Sequence, residues 1–462
     1  MPRLVEPDLI RARFSAALSA MYRQEVPAYG TLMELVAAVN ARTLDQDPVL
    51  RQQLERGGTL DRVSVERHGA IRLGTARELH DMRRIFAVMG MFPVGYYDLS
   101  PAGVPVHSTA FRPVTAQALA VNPFRVFTSL LRLELIQDKD LRRIAAQVLE
   151  RRRIFTPRAL ELTAQAETAG GLTEAQAAEF VAEAVETFRW HAEARVNATT
   201  YQRLHDAHRL IADVVSFKGP HINHLTPRTL DIDAVQALMP EHGIAPKAVI
   251  EGPPRRACPI LLRQTSFKAL QEPVLFPDAG GPAVPGRHTA RFGEIEQRGI
   301  ALTPKGRALY DKLLAQTRAV ARPSADGGNA AEYVAALEAT FAAFPDDWDQ
   351  IRRQGLGYFQ FAPVPGRAID PKADPETLLA QGAITATPLV YEDFLPVSAA
   401  GIFQSNLGDH AARDLQASPN QRAFEEALGA GVLDEFQHYA AIQAASLESC
   451  GKAGAGPIAT LD

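Results

Sequence analysis

The stretch from residue 114 to 215 constrains this chain most, because it reads almost entirely as helix while the sequence on either side reads as strand. Segments such as "RIAAQVLERRRIF" and "EAQAAEFVAEAVETFRWHAEA" carry apolar residues at helical spacing, with little glycine or proline inside. Before it, "DRVSVERHGAIRLGT" is strand-like and "ARELHDMRRIFAVMGMF" is an amphipathic helix. "PVGYYDLSPAGVPVHSTAFRPV" then gives two strands joined by a Pro-Gly turn. After it, the order strand, helix, strand, strand recurs over 219–303. The economical expectation is an α+β protein with two β-α-β-β modules split by a helical insertion. Residues 7–57 add two short helices expected to cover a sheet, and 305–462 reads as helix followed by Pro/Gly-rich loops. The divisions expected are therefore 1–113, 114–215, 216–304 and 305–462.

A chain of 462 residues exceeds what one hydrophobic core usually covers, which suits several subdomains. With 46% apolar and 22% charged residues it has the balance of an ordinary soluble protein. A formal charge of −4 gives no general attraction to nucleic acid or anionic lipid. Cys258 and Cys450 are too few for a disulfide framework or a cysteine zinc site, although one bridge between them stays open. The N-terminus lacks the apolar core of a signal peptide, and no apolar run is long enough to span a bilayer. The location expected is cytoplasmic; oligomeric state is not indicated.

Three segments carry candidate chemistry. In "VERHGAIRLG", strand alternation puts Glu66, His68, Ala70 and Arg72 on one face. In "GPHINHLTPRTLDID", His221 and His224 stand three apart, so a regular strand would turn them opposite ways and they would not share one metal. In "RFGEIEQRG", Glu294 and Glu296 share a face, where they are either solvated or, for Glu296, paired with Arg298. Each segment alone is most simply ordinary strand. Together, two histidines and one carboxylate could hold Fe(II) and leave positions open for a chelating 2-oxo acid and dioxygen. A competing set lies in "YQRLHDAHRLIAD", where a helix would put His205 and His208 on one face with Asp206 nearby. No GxGxxG, Walker A, GxSxG or HExxH pattern points to nucleotide, acyl-transfer or zinc-protease chemistry.

The strand "FGEIEQR" resembles the F-x-E-I-x-Q-R strand of 4-hydroxyphenylpyruvate dioxygenases, whose glutamate is the last iron ligand; that likeness selects Glu294 over Glu296. More closely, "ERHGAIRLGT", "VVSFKGPHINHLTPRTLDID", "RFGEIEQRGIALTPKGRALYD" and "YEDFLPVSAAGIFQSNL" resemble the 2-oxoadipate dioxygenase/decarboxylase family, over nearly the whole chain. The resemblance implies a vicinal-oxygen-chelate-like metal-binding sheet with large helical insertions. It implies Fe(2+) held by His68, His224 and Glu294, with substrate held by Arg72 and a pocket wall at Val397. The implied reaction takes 2-oxoadipate and O2 to 2-hydroxyglutarate and CO2, a step of lysine breakdown. Arg72 suits its part: four strand residues cover roughly 13 Å, and a guanidinium can grip the far carboxylate of a six-carbon diacid bidentately. Two other classes stay in view. One is a metal-dependent lyase or isomerase on the same scaffold; the other is a non-enzymatic metabolite-binding protein.

Overall fold

The computed structural model describes residues 3–278, 280–324, 327–370, 372–395 and 419–451. Helices α1 (Pro7–Glu25) and α2 (Pro27–Gln46) each start with proline in the first turn, where a missing N–H costs nothing. Ile10, Phe14, Leu18 and Met21 form the buried stripe of α1 and pack in one core with Ile71, Leu73 and Val126 of the central sheet.

That sheet is built from β1 (Arg67–Leu73), β2 (Phe92–Asp98), β3 (Val106–Arg112), β4 (Arg125–Leu131) and β5 (Leu225–Pro227). Its spatial order is β2-β3-β4-β1-β5. Helix α3 (Ala76–Val88) links β1 to β2, with Thr75 Oγ1 capping it by accepting from Glu78 N at 3.2 Å. The helical expectation for 114–215 is corrected here. It holds for α4 (Lys139–Arg151), α5 (Pro157–Ala169), α6 (Glu174–Glu186), α7 (Ala198–Ala207) and α8 (Arg209–Ser216). It fails at β4, which lies parallel to β1 from His68↔Arg125 to Leu73↔Leu130. Every residue of β4 is buried, so its sequence "RVFTSLL" has no polar-apolar alternation to give a strand away.

The second strand-rich stretch differs from expectation in detail. Helix α9 (Ile232–Leu238) follows β5, and β6 (Leu262–Ser266), β7 (Gln271–Phe276), β8 (Val284–Thr289) and β9 (Glu294–Arg298) come next. That makes five strands, against the three of the first β-α-β-β unit. The last four form two antiparallel pairs, β6 with β9 and β7 with β8, and only β5 enters the five-stranded sheet. Within 219–233, only Leu225–Pro227 is regular strand. The other face of the sheet, with Ala70, Val106 and Phe127, packs on α4, α7 and α8. A third core gathers α10 (Pro304–Val320), α11 (Ala330–Phe341), β10 (Phe359–Pro363), β11 (Ile384–Pro388) and, through Tyr439, α12 (Glu435–Ser449). Cys258 and Cys450 both lie in that core as free thiols. No helix among the described residues is long and apolar enough to cross a membrane.

One buried charge ties α1 to the sheet. Arg11, fully buried, donates to Asn122 O (2.8 Å), Met89 O (2.8 Å), Ala118 O (2.7 Å) and Asp8 Oδ1 (2.7 Å). Arg11→Met leaves Asn122 O and Met89 O without this donor, while Ala118 O keeps its bond from Asn122 N, and the expected loss is about 2–4 kcal/mol, read as a lower melting temperature.

Candidate metal centre

Strand β1 delivers His68, held between Arg125 of β4 and Thr226 of β5. His224 comes from the irregular run just before β5, where Asn223 N donates to Ala70 O (3.0 Å) and Phe292 N donates to Asn223 O (3.1 Å). Gly69 makes that crossing possible. A Cβ there would stand 2.5 Å from Ile222 Cδ1 and 3.1 Å from His224 O, so a side chain would push the histidine off the sheet. Glu294 opens β9 opposite Ser266 of β6. Thr229 N donates to Glu296 O (2.7 Å), so β9 runs on from the end of β5 and brings its carboxylates toward β1.

His68, His224 and Glu294 are each 0% exposed, and one donor atom from each lies within 4.8 Å of the others. His68 Nε2 is 3.8 Å from Glu294 Oε1, and His224 Nε2 is 3.5 Å from Glu294 Oε2. Neither Nε2 nor Glu294 Oε2 has a hydrogen-bond partner among the described residues. Buried polar atoms without partners are rare; three converging on one point fit a cation, and two imidazoles with one carboxylate suit a divalent transition metal. The electrostatics agree. Burial holds the His68 imidazole below its usual range, and burial together with His68 and Arg72 holds His224 well below it. Burial, then Glu296 and Glu251, push the Glu294 carboxyl well above its usual range. Neutral imidazoles are metal ligands as they stand, and a cation would return Glu294 to its ionised form.

The competing histidine set does not assemble. The helix breaks at His208, which caps α8 by accepting from Leu210 N at 3.1 Å, while His205 stays at the surface of α7. Among the described residues, His68, His224 and Glu294 are the one group spaced to hold a metal. The family model described as "2-oxoadipate dioxygenase/decarboxylase" matches residues 14–406. A Pseudomonas putida protein of that name is 61% identical over 97% of each chain, and one from Escherichia coli is 57% identical over 98% of this chain and 100% of its own. The crystal structure of the hydroxyglutarate synthase in complex with 2-oxoadipate, from Pseudomonas putida, superposes with a TM-score of 0.89 at 58% identity, over 97% of this chain and 98% of that one. This chain belongs to the 2-oxoadipate dioxygenase/decarboxylase family.

In this family member, Glu296 is neither solvated nor simply paired with Arg298. It is 0% exposed, its Oε2 lies 2.9 Å from His68 Nδ1, and Arg298 grips it with both prongs at 2.8 and 2.9 Å. Burial opposes its ionisation, but Arg298, His68 and Arg125 outweigh burial and hold the carboxyl at about 2. A carboxylate on Nδ1 fixes the ring's tautomer and aims Nε2 at the cluster. Glu296→Gln keeps the shape and drops the charge; metal affinity, measured by chelator competition, is expected to fall on the order of 10–100-fold. Unchanged affinity would leave Glu296 a purely structural residue.

Arg72 lies on the same strand face as His68 and donates to Asp213 Oδ2 at 2.6 Å. Asp213 also takes His221 Nε2 (3.1 Å) and His288 Nε2 (2.9 Å) on its other oxygen. His221 and His224 thus turn to different partners, although the segment that carries them is irregular. Val397 lies outside the described residues. Sequence reasoning missed Asp213, His288 and Gln264, whose Nε2 donates to Glu294 Oε1. Nothing local in "IADVVSF", "VPGRHT" or "LLRQTS" marks them.

Proposed function

We propose that this chain is an Fe(II)-dependent dioxygenase/decarboxylase that converts 2-oxoadipate and O2 to (R)-2-hydroxyglutarate and CO2, a step of lysine breakdown in the cytoplasm. His68, His224 and Glu294 are the iron ligands, carried on a vicinal-oxygen-chelate-like arrangement of strands, and Arg72 binds substrate. The observation that carries this reading is the buried His-His-Glu convergence, in a member of this family, whose facing Nε2 and Oε2 atoms have no hydrogen-bond partner among the described residues. Bound iron supplies the redox chemistry that couples dioxygen reduction to loss of C1 as CO2 and hydroxylation of the same molecule.

The protein's own groups prepare that chemistry. Glu296 Oε2, 2.9 Å from His68 Nδ1, favours the tautomer with its proton on that nitrogen, and Gln264 orients Glu294 by donating to Oε1. Phe394 packs on the His68 ring with centroids 4.9 Å apart, and Phe292 packs on His224 at 4.8 Å; both exclude water. Asp213 fixes the Arg72 fork, so it meets a substrate carboxylate pre-oriented.

Oxygen uptake and mass spectrometry of products from 2-oxoadipate with Fe(II), run with and without air, test metal, substrate and reaction together. The expected result is aerobic formation of 2-hydroxyglutarate with one CO2 per O2. A different product, formed equally well without air and with no oxygen consumed, would instead favour a metal-dependent lyase or isomerase, and no product at all a metabolite-binding protein.

A further inference from the structure

A cavity of about 210 Å³ adjoins the metal centre. Its wall includes Phe292, which packs on the His224 ring, and Ser266, which stands opposite Glu294 across the β6–β9 pair. Four cationic side chains line it, Arg72, Arg209, Lys247 and Lys268, against the single carboxylate of Asp213. A space with that imbalance is built for an anion.

The four cations are not equivalent. Arg72 is matched by Asp213 at 2.6 Å. Lys247 faces the carboxylates of Glu251 and Glu294. Lys268, in the turn after β6, and Arg209 are both exposed, but Arg209 has Arg72 and Asp213 as its charged neighbours. Arg209 opens α8 four residues before Asp213, so both project from one face of the helix. Its guanidinium makes no hydrogen bond or ion pair with any described residue, and it stands at the mouth of the cavity beside Arg72. Burial, and then Arg72, pull it below its usual range, with Asp213 only partly offsetting them.

We infer that Arg209 joins Arg72, which Asp213 pre-orients, in taking the second carboxylate of the substrate, and so selects a 2-oxo diacid over a 2-oxo monoacid. This rests on the 2-oxo acid reading of the site given above. A carboxylate at the mouth would meet a planar, two-pronged donor, which a lysine at the same position could copy only in charge.

The test compares 2-oxoadipate with 2-oxohexanoate, which has the same chain length and a methyl in place of the second carboxylate. Wild type, Arg209→Gln, Arg209→Lys and Lys268→Gln are assayed for oxygen uptake with Fe(II). Each is also titrated anaerobically with both acids in a calorimeter. Arg209→Gln is expected to raise KM and Kd for 2-oxoadipate by about 10-fold or more, with kcat within about twofold and 2-oxohexanoate unaffected. Arg209→Lys should fall between. Equal losses for both acids would make Arg209 structural and overturn the inference, as would no loss, or a larger selective loss in Lys268→Gln. Because calorimetry reads selectivity without turnover, wild-type protein that binds 2-oxoadipate selectively but consumes no oxygen would overturn the dioxygenase reading alone.

Discussion

Glu294→Gln should empty the metal centre and leave the fold standing. The amide keeps the shape of the carboxyl but removes the one negative ligand, so a divalent cation would be held by two neutral imidazoles alone. Loss of groups that merely orient a ligand costs 10–100-fold in metal affinity, so loss of the ligand itself should cost on the order of 100-fold or more. Iron content after gel filtration, measured by atomic emission, is expected to fall close to background, and oxygen uptake with it. The metal-free protein should not suffer. Burial already pushes the Glu294 carboxyl well above its usual range, so the metal-free wild type gains little from a charge there. The melting temperature without metal should therefore match or exceed that of wild type. A variant that keeps its iron would remove Glu294 from the ligand set.

Arg125→Met should be the most destabilising single change near the site. Arg125 is fully buried and reaches three carboxylates: Glu66 at 2.9 Å, Glu296 at 3.4 Å, and Glu392 by a short charge-assisted bond. Arg62, Arg228 and Arg298 brace the same acids from other elements, at 2.5 Å to Glu392, 3.0 Å to Glu66 and 2.8 Å to Glu296. Four arginines thus share three carboxylates behind the His68 ring. Taking out the central one strips three buried carboxylates of their shared cationic partner, and removing one partner of a buried pair costs about 3–5 kcal/mol. Urea denaturation should register a loss of that size. The double variant Arg125→Met with Glu392→Gln should recover part of it, because one stranded charge goes too; strict additivity would mean that the two do not interact.

Why this cluster was invisible in the sequence is instructive. Glu66, Arg125, Glu296 and Glu392 are spread over more than 300 residues of sequence, so no local pattern joins them. Local periodicity reports which way a side chain turns, not which segment will lie opposite. The same limit hid Asp213: nothing in its own helix foretells that β1 supplies Arg72, and His221 and His288 come from two further segments. Strand β4 was missed for a different reason. It is buried on both faces, and a strand with no wet side has no alternation for sequence to display.

Several elements were legible from residue order alone. The first β-α-β-β unit, α1 and α2, and helices α10 and α11 follow from apolar spacing and capping residues, which act within a few residues of themselves. Strand alternation put His68 and Arg72 on one face. Family resemblance, not spacing, chose His224 over His221 and Glu294 over Glu296. Only the tertiary structure decided that these three buried side chains converge with atoms that lack a hydrogen-bond partner among the described residues, that Glu296 stands behind His68, and that Arg209 lines a cavity beside Arg72. Those facts depend on distances between segments brought together by β1, β5 and β9. Chain order cannot carry such distances, because strand pairing is set by what each strand buries against the others.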